Sequence, residues 1–141
     1  MTKLVLLFPV FALMGCSIVQ TVDPIEGVSG LEEICIIEDP AVREGFLIEY
    51  RKSVEAKGIA VRLLENGSSI TDCEWTSTYS ARWSWDLTIY MSYSVIRVFH
   101  NGQVSGEALY DATRGGGRLD KKFIKADAKI REIVDELFRA I

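Results

Sequence analysis

From residue 31 onward the hydrophobic and polar positions follow two alternating rhythms. Ile34, Cys35, Ile36 and Ile37 are apolar on both parities, the pattern of a strand buried on both faces. Asp39-Pro40 then offers an N-cap and a proline for a first helical turn. Val42, Phe46, Leu47, Tyr50 and Val54 recur at helical spacing, and Lys57-Gly58 supplies a basic last turn and a terminating glycine. Ile59 to Leu64 reads as a second strand, followed by the loop Asn66-Gly67-Ser68-Ser69. Cys73, Trp75, Tyr79, Ala81 and Trp83 alternate with Glu74, Thr76, Thr78, Ser80 and Arg82, which predicts a half-buried strand. Trp85, Leu87, Ile89, Met91, Tyr93 and Val95 continue the same parity in a further strand. The apolar parity then moves to Ile96 and Val98, which predicts a β-bulge near residues 94–96. Asn101-Gly102 is a type I′ hairpin signal, and residues 103–111 form the returning strand. After the loop Gly115-Gly116-Gly117, a last helix is expected from Asp120, its N-cap, with Leu119 and Ile124 as a hydrophobic staple. Its apolar stripe is Phe123, Ile130, Ile133, Val134, Leu137 and Phe138.

The order is β-α-β-β-β-β-α. The simplest way to bury these stripes is an α+β two-layer sandwich: a five-stranded mixed, mostly antiparallel sheet with two helices on one face.

The first sixteen residues follow neither rhythm. Lys3 is a short positive start, and Leu4 to Met14 is an apolar run, too short to span roughly 30 Å of hydrocarbon. Leu13-Met14-Gly15-Cys16 resembles the bacterial lipobox, in which the cysteine sulfur receives a diacylglyceryl group before the signal is removed. That resemblance implies a cleaved signal over residues 1–15 and an acylated N-terminus at Cys16. Several acyl chains at about 0.8 kcal/mol per buried CH₂ give stable anchoring. Ser17, rather than an aspartate, follows the cysteine, and the resemblance then favours the outer membrane, facing the periplasm. Residues 16–30 contain Asp23-Pro24, Gly27 and Gly30 without a steady period, and read as a flexible tether to a single domain over 31–141.

The mildly positive mean hydropathy of +0.14 is largely the signal's doing. The full chain carries 16 basic and 20 acidic side chains; without residues 1–15, which hold only Lys3, the net charge moves from −4 to −5. An acidic chain of this kind argues against nucleic acid as a partner. Cys35 and Cys73 are the two cysteines left beside Cys16. In an oxidising compartment they make a plausible disulfide, with two separate buried thiols as the open alternative.

From Cys73 to Asp86 the chain reads Cys-Glu-Trp-Thr-Ser-Thr-Tyr-Ser-Ala-Arg-Trp-Ser-Trp-Asp. It continues with Ile96-Arg97-Val98, Gly106-Glu107-Ala108, Tyr110-Asp111-Ala112 and Ile133-Val134-Asp135-Glu136-Leu137-Phe138. Over residues 31–138 this resembles the Sbal-type family of small bacterial lipoproteins. The resemblance implies an α/β periplasmic domain behind a lipidated cysteine and supplies no catalytic residue. More loosely, the element order resembles accessory domains of outer-membrane assembly proteins.

Little in the chain points to catalysis. His100, the only histidine, sits at a turn and lacks sequence neighbours suited to a triad or a metal site. No cofactor or metal site is expected. The glycine run at 115–117 lacks the Gly-Lys-Ser/Thr ending of a phosphate-binding loop. Arg114, Arg118, Lys121, Lys122 and Lys125 form a basic cluster where the last helix's dipole disfavours cations, a candidate patch for an anionic lipid, glycan or acidic protein. The expectation is a non-enzymatic, membrane-anchored lipoprotein presenting its domain to a protein or envelope component. The alternatives are an envelope hydrolase using Asp86, Glu107 and Asp111, and a purely structural envelope component.

Overall fold

The computed structural model describes residues 18–27, 29–113 and 125–141. The protein is α+β. In chain order it contains β1 (Val19–Asp23), β2 (Glu33–Ile37), α1 (Glu44–Glu55), β3 (Ala60–Leu64), β4 (Trp75–Asp86), β5 (Thr88–His100), β6 (Gln103–Asp111) and α2 (Ala126–Leu137). The sheet has six strands rather than the expected five, in the order β1-β6-β5-β4-β2-β3. The sixth is β1, in the segment read as a flexible tether. It pairs antiparallel with β6 from Val19↔Asp111 to Asp23↔Glu107. Side chains hold it from the helix layer as well: Lys129 Nζ donates to Gln20 Oε1 at 3.0 Å, and Gln20 Nε2 donates to Glu132 and Glu136, each at 3.0 Å. These partners are far away in sequence, so no local period announces the strand.

β4, β5, β6 and β1 form antiparallel pairs, whereas β2 is parallel to both β3 and β4. β3 therefore ends where β4 does not begin, and residues 65–74 must return along the length of the sheet. Cys73 at the end of this return is disulfide-bonded to Cys35 in β2, with 6.3 Å between the Cα atoms. Ile34 and Ile36 belong to the core, so Cys35 faces the opposite side, and the return segment crosses β2 on that side.

Both helices pack against each other and cover one face of the sheet. Phe46, Tyr50 and Val54 line the buried face of α1; Ile130, Ile133, Val134 and Leu137 line that of α2. Phe46 stacks on Tyr79 with ring centroids 5.3 Å apart, and the Tyr50 hydroxyl is 2.7 Å from Ser77 Oγ inside the core.

The start of α1 differs from expectation. Asp39 Oδ1 accepts from the Ala41 amide at 2.9 Å and its carbonyl accepts from Val42 at 3.1 Å, so Asp39-Pro40 makes a tight turn and α1 opens at Glu44. α2 opens at Ala126 with Lys125 in the cap position. The proposed Asp120 cap, the Leu119–Ile124 staple, Phe123 and the glycine run lie outside the described residues. The expected bulge exists but sits earlier. Arg82 pairs with Tyr93 and Trp83 with Met91, leaving Ser92 as the extra residue, and Ser92 Oγ donates to the Arg82 carbonyl at 3.2 Å. A second register shift falls between Val98 and Phe99.

Candidate functional site

Strand alternation gives the sheet two unlike faces. The helix-covered face carries Trp75, Tyr79, Ala81, Ile96, Val98, Ala108 and Tyr110, all buried. On the opposite side of β4, β5, β6 and β1, no helix packs among the described residues. Register places Thr78, Ser80 and Arg82 there beside Tyr93, Val95, Arg97 and Phe99, then Glu107, Leu109 and Asp111, then Val19, Thr21 and Asp23. Arg97 is ion-paired with Glu107, and Arg82 lies over the Tyr93 ring at 4.7 Å. The disulfide-pinned return segment passes the β2 side, where Arg62 reaches Glu33 at 3.3 Å and Cys73 Sγ at 3.1 Å, and its Thr71 lies against Gly102 at the β5–β6 turn. The result is a broad surface of mixed aromatic, aliphatic and charged groups.

The sheet also has two unlike ends. β5 pairs with β6 only from Tyr93 onward, and β4 pairs with β2 only near Thr76 and Ser77. Among the described strands, the arm from Trp83 to Met91 therefore pairs with itself, through Trp83↔Met91, Trp85↔Ile89 and Asp86↔Thr88. The alternation suggested that its apolar parity is packed. Instead Trp85 is 73% exposed, Leu87 84% and Ile89 54%. Leu87 makes the turn at φ 63°, a left-handed conformation that a leucine rarely takes. Nothing in the sequence marks a turn there, because Leu87 is not a turn residue.

Other expected residues fall as follows. Cys35 and Cys73 are bonded. Cys16, Arg114, Arg118, Lys121 and Lys122 lie outside the described residues. Lys125 is exposed at the start of α2, and with Trp83 and Ile89 it lines a small hollow of about 230 Å³ at the arm's root. His100 stacks on Trp75 at 4.1 Å and its Nε2 is 3.2 Å from Glu74 Oε1. No group of three or more histidines, cysteines or carboxylates among the described residues could hold a metal ion. Glu107 and Asp111 are four residues apart on β6, about 13 Å along a strand, wider than the roughly 5–9.5 Å of paired glycosidase carboxylates. Asp86 sits in the arm, beyond the row that contains Asp111. A cleft of about 540 Å³ lies between α1 and the ends of β2 and β3, lined by Asp39, Leu47, Ile48, Arg51 and Tyr79 among others.

The titratable groups with shifted affinities serve packing. Burial pushes the Tyr50 hydroxyl well above the usual phenol range, against the hydrogen bond with Ser77. Burial also raises Tyr110, helped by the nearby Glu132 carboxylate. Burial acts to raise Glu132 itself, but hydrogen bonds from Lys129 and Gln20 and the Lys129 charge outweigh it, holding the carboxyl below its ordinary value. No helix among the described residues is long and apolar enough to cross a membrane.

No protein-family model matches the chain, and no curated protein matches it. Among solved structures, the chain is similar to the PelC dodecamer from Paraburkholderia phytofirmans. It aligns with a TM-score of 0.59 and 12% identity over 85% of this chain and 98% of that one. A methionine-substituted form of the same dodecamer, in another crystal form, aligns with a TM-score of 0.57 and 11% identity over 85% and 96%. At that identity the likeness is one of fold.

Proposed function

We propose that this chain is an envelope lipoprotein, anchored in the outer membrane through a lipid on Cys16, whose periplasmic domain binds a protein or another envelope component. The observation that carries the binding role is the helix-free face of β4, β5, β6 and β1. Among the described residues no helix covers that side of the sheet, which carries Tyr93, Phe99 and Leu109 beside Arg82 and Arg97, a mixture suited to a macromolecular contact. The lipobox-like Leu13-Met14-Gly15-Cys16 and the resemblance of residues 31–138 to Sbal-type lipoproteins support the anchored reading.

Photocrosslinking amino acids placed at Phe99 and Thr21 on the bare face, and at Lys52 on the outer side of α1, test this in cells. Discrete adducts from Phe99 and Thr21 and none from Lys52 are expected. Equal adducts from all three sites, or none from any, would overturn it. A second reading makes the partner another copy of this chain, because the structural neighbour is a dodecamer. Adducts of twice the chain mass would select that reading.

A further inference from the structure

The self-paired arm, the start of β1 and the start of both helices lie at one end of the molecule. β1 begins at Val19, opposite Asp111; Asp111 pairs with Tyr93, and Tyr93 with Arg82. This row is the last full row of the four antiparallel strands, and beyond it, among the described strands, only the arm continues. Leu87 is five residues past Arg82, roughly 16 Å along the strand. Cys16 is three residues before Val19, so at most about 11 Å of backbone joins the two. The two strands are three spacings apart, about 14 Å. No room is left for a long tether: a lipid on Cys16 would draw this end to the bilayer surface.

We infer that this end is a membrane-docking face, in which Trp85, Leu87 and Ile89 enter the interfacial layer of the bilayer to which Cys16 is tied. The inference rests on the lipoprotein reading for its anchor, while the arm's own chemistry supplies the docking. Trp85 and Ile89 face each other across the strands on one side of the arm, with Ser84, Asp86, Thr88 and Tyr90 on the other. Such a two-faced arm suits a boundary between water and lipid, where indole rings concentrate. An isolated hairpin in water is marginal, and immersion of its apolar side supports it. Cations stand around its root: Arg82 and Lys125 are exposed, and Arg43 lies over the Trp83 ring at 5.1 Å. α1 follows the end of β2 and α2 starts beside Trp83, so both helices also turn their positive ends this way. Carboxylates share this end, with Glu44 and Asp127 in the first turns of the helices and Asp111 in the last full row, so the apolar side chains rather than charge carry the docking. Asp86, at the turn, stays with the head groups. A strained Leu87 at the most exposed point of the arm is placed where contact with lipid, not packing inside the domain, gives it a purpose.

The test uses the full mature protein extracted from membranes and reconstituted into phosphatidylethanolamine–phosphatidylglycerol vesicles containing brominated acyl chains. Tryptophan quenching by bromine is expected, and Trp85→Phe should remove most of it, since Trp75 is buried and Trp83 half-buried against Arg43. Leu87→Asp with Ile89→Asp should abolish it while circular dichroism stays unchanged. Fatty-acid labelling of Cys16 is read in parallel. Labelling without bromine quenching overturns the docking face and leaves the anchor standing. Quenching without labelling overturns the anchor and leaves the docking face. Shielding of Trp85 from aqueous iodide that grows with protein concentration in detergent, with no bromine quenching, makes the arm a protein contact and overturns the inference.

Discussion

The two ends of the sheet each carry a tight turn, and they are built in opposite ways. At one end Asn101 (φ 50°) and Gly102 (φ 79°) adopt left-handed conformations that suit them. The Asn101 amide donates to the Glu74 carbonyl at 2.8 Å, and His100 stacks on Trp75. Gly102 lies so close to Thr71 that a Cβ there would come within 2.8 Å of the threonine methyl. Nearby, the Ile25 amide donates to the Leu137 carbonyl at 3.0 Å, tying the exit of β1 to the end of α2. That end is sealed by turn chemistry, close packing and the Cys35–Cys73 bond. At the other end the turn residue is Leu87, conformationally unsuited and facing solvent, on an arm that no other described strand flanks. Stability is concentrated at one end, and strain with apolar exposure at the other. A protein that binds through one end can tolerate this division, because the sealed end fixes the register of every strand.

Substitutions that weaken the sealed end should have the largest effects. Replacing Cys35 and Cys73 together with alanine removes a cross-link over 38 residues and is expected to cost about 2–5 kcal/mol. The measurement is the unfolding midpoint without reductant, compared with that of the disulfide-bonded parent. An unchanged midpoint would mean that packing alone closes this end.

A smaller loss is expected from Gly106→Ala. The new Cβ would lie 2.9 Å from both the Asp23 carbonyl oxygen and the Ile25 nitrogen, which are backbone atoms that cannot swing aside. Overpacking of this kind costs about 1–3 kcal/mol. Urea unfolding measures it, and the loosening should appear first as faster hydrogen exchange in β1.

Leu87→Asn should have the smallest effect, and of opposite sign. Asparagine tolerates the left-handed region, so stability should hold or rise by up to about 1 kcal/mol. If the domain instead loses as much stability as with Gly106→Ala, Leu87 is held by packing, and the contrast between the two ends fails.

Legibility in the sequence followed the range of the interactions. The Phe46–Tyr50–Val54 and Ile130–Val134–Leu137 stripes, the alternation from Trp75 to Trp83 and the Asn101-Gly102 turn are local, and each was readable. The start of α1 was displaced because Asp39 forms hydrogen bonds that make a turn in place of a cap, which composition does not distinguish. The bulge was legible as a change of parity, but its position was not, since Ser92 is fixed by its bond to Arg82 on the neighbouring strand. Strand β1 was missed altogether, because its partners are β6 and the Lys129–Glu132 pair.

Of the candidate surface, the residues were visible and their arrangement was not. Trp85, Leu87 and Ile89 are apolar at strand spacing whether the arm is packed or bare, because periodicity records which side chains share a face and not what lies against it. The chain's own text therefore specified the α+β class, the apolar stripes, the cysteine pair and the lipobox-like start. Strand order decided the rest. It put β1 at an edge beside β6, left one face of four strands without a helix among the described residues, and brought the start of β1, the arm and both helix N-termini to one end. Those are matters of pairing between segments distant in sequence, and local periodicity carries no information about them.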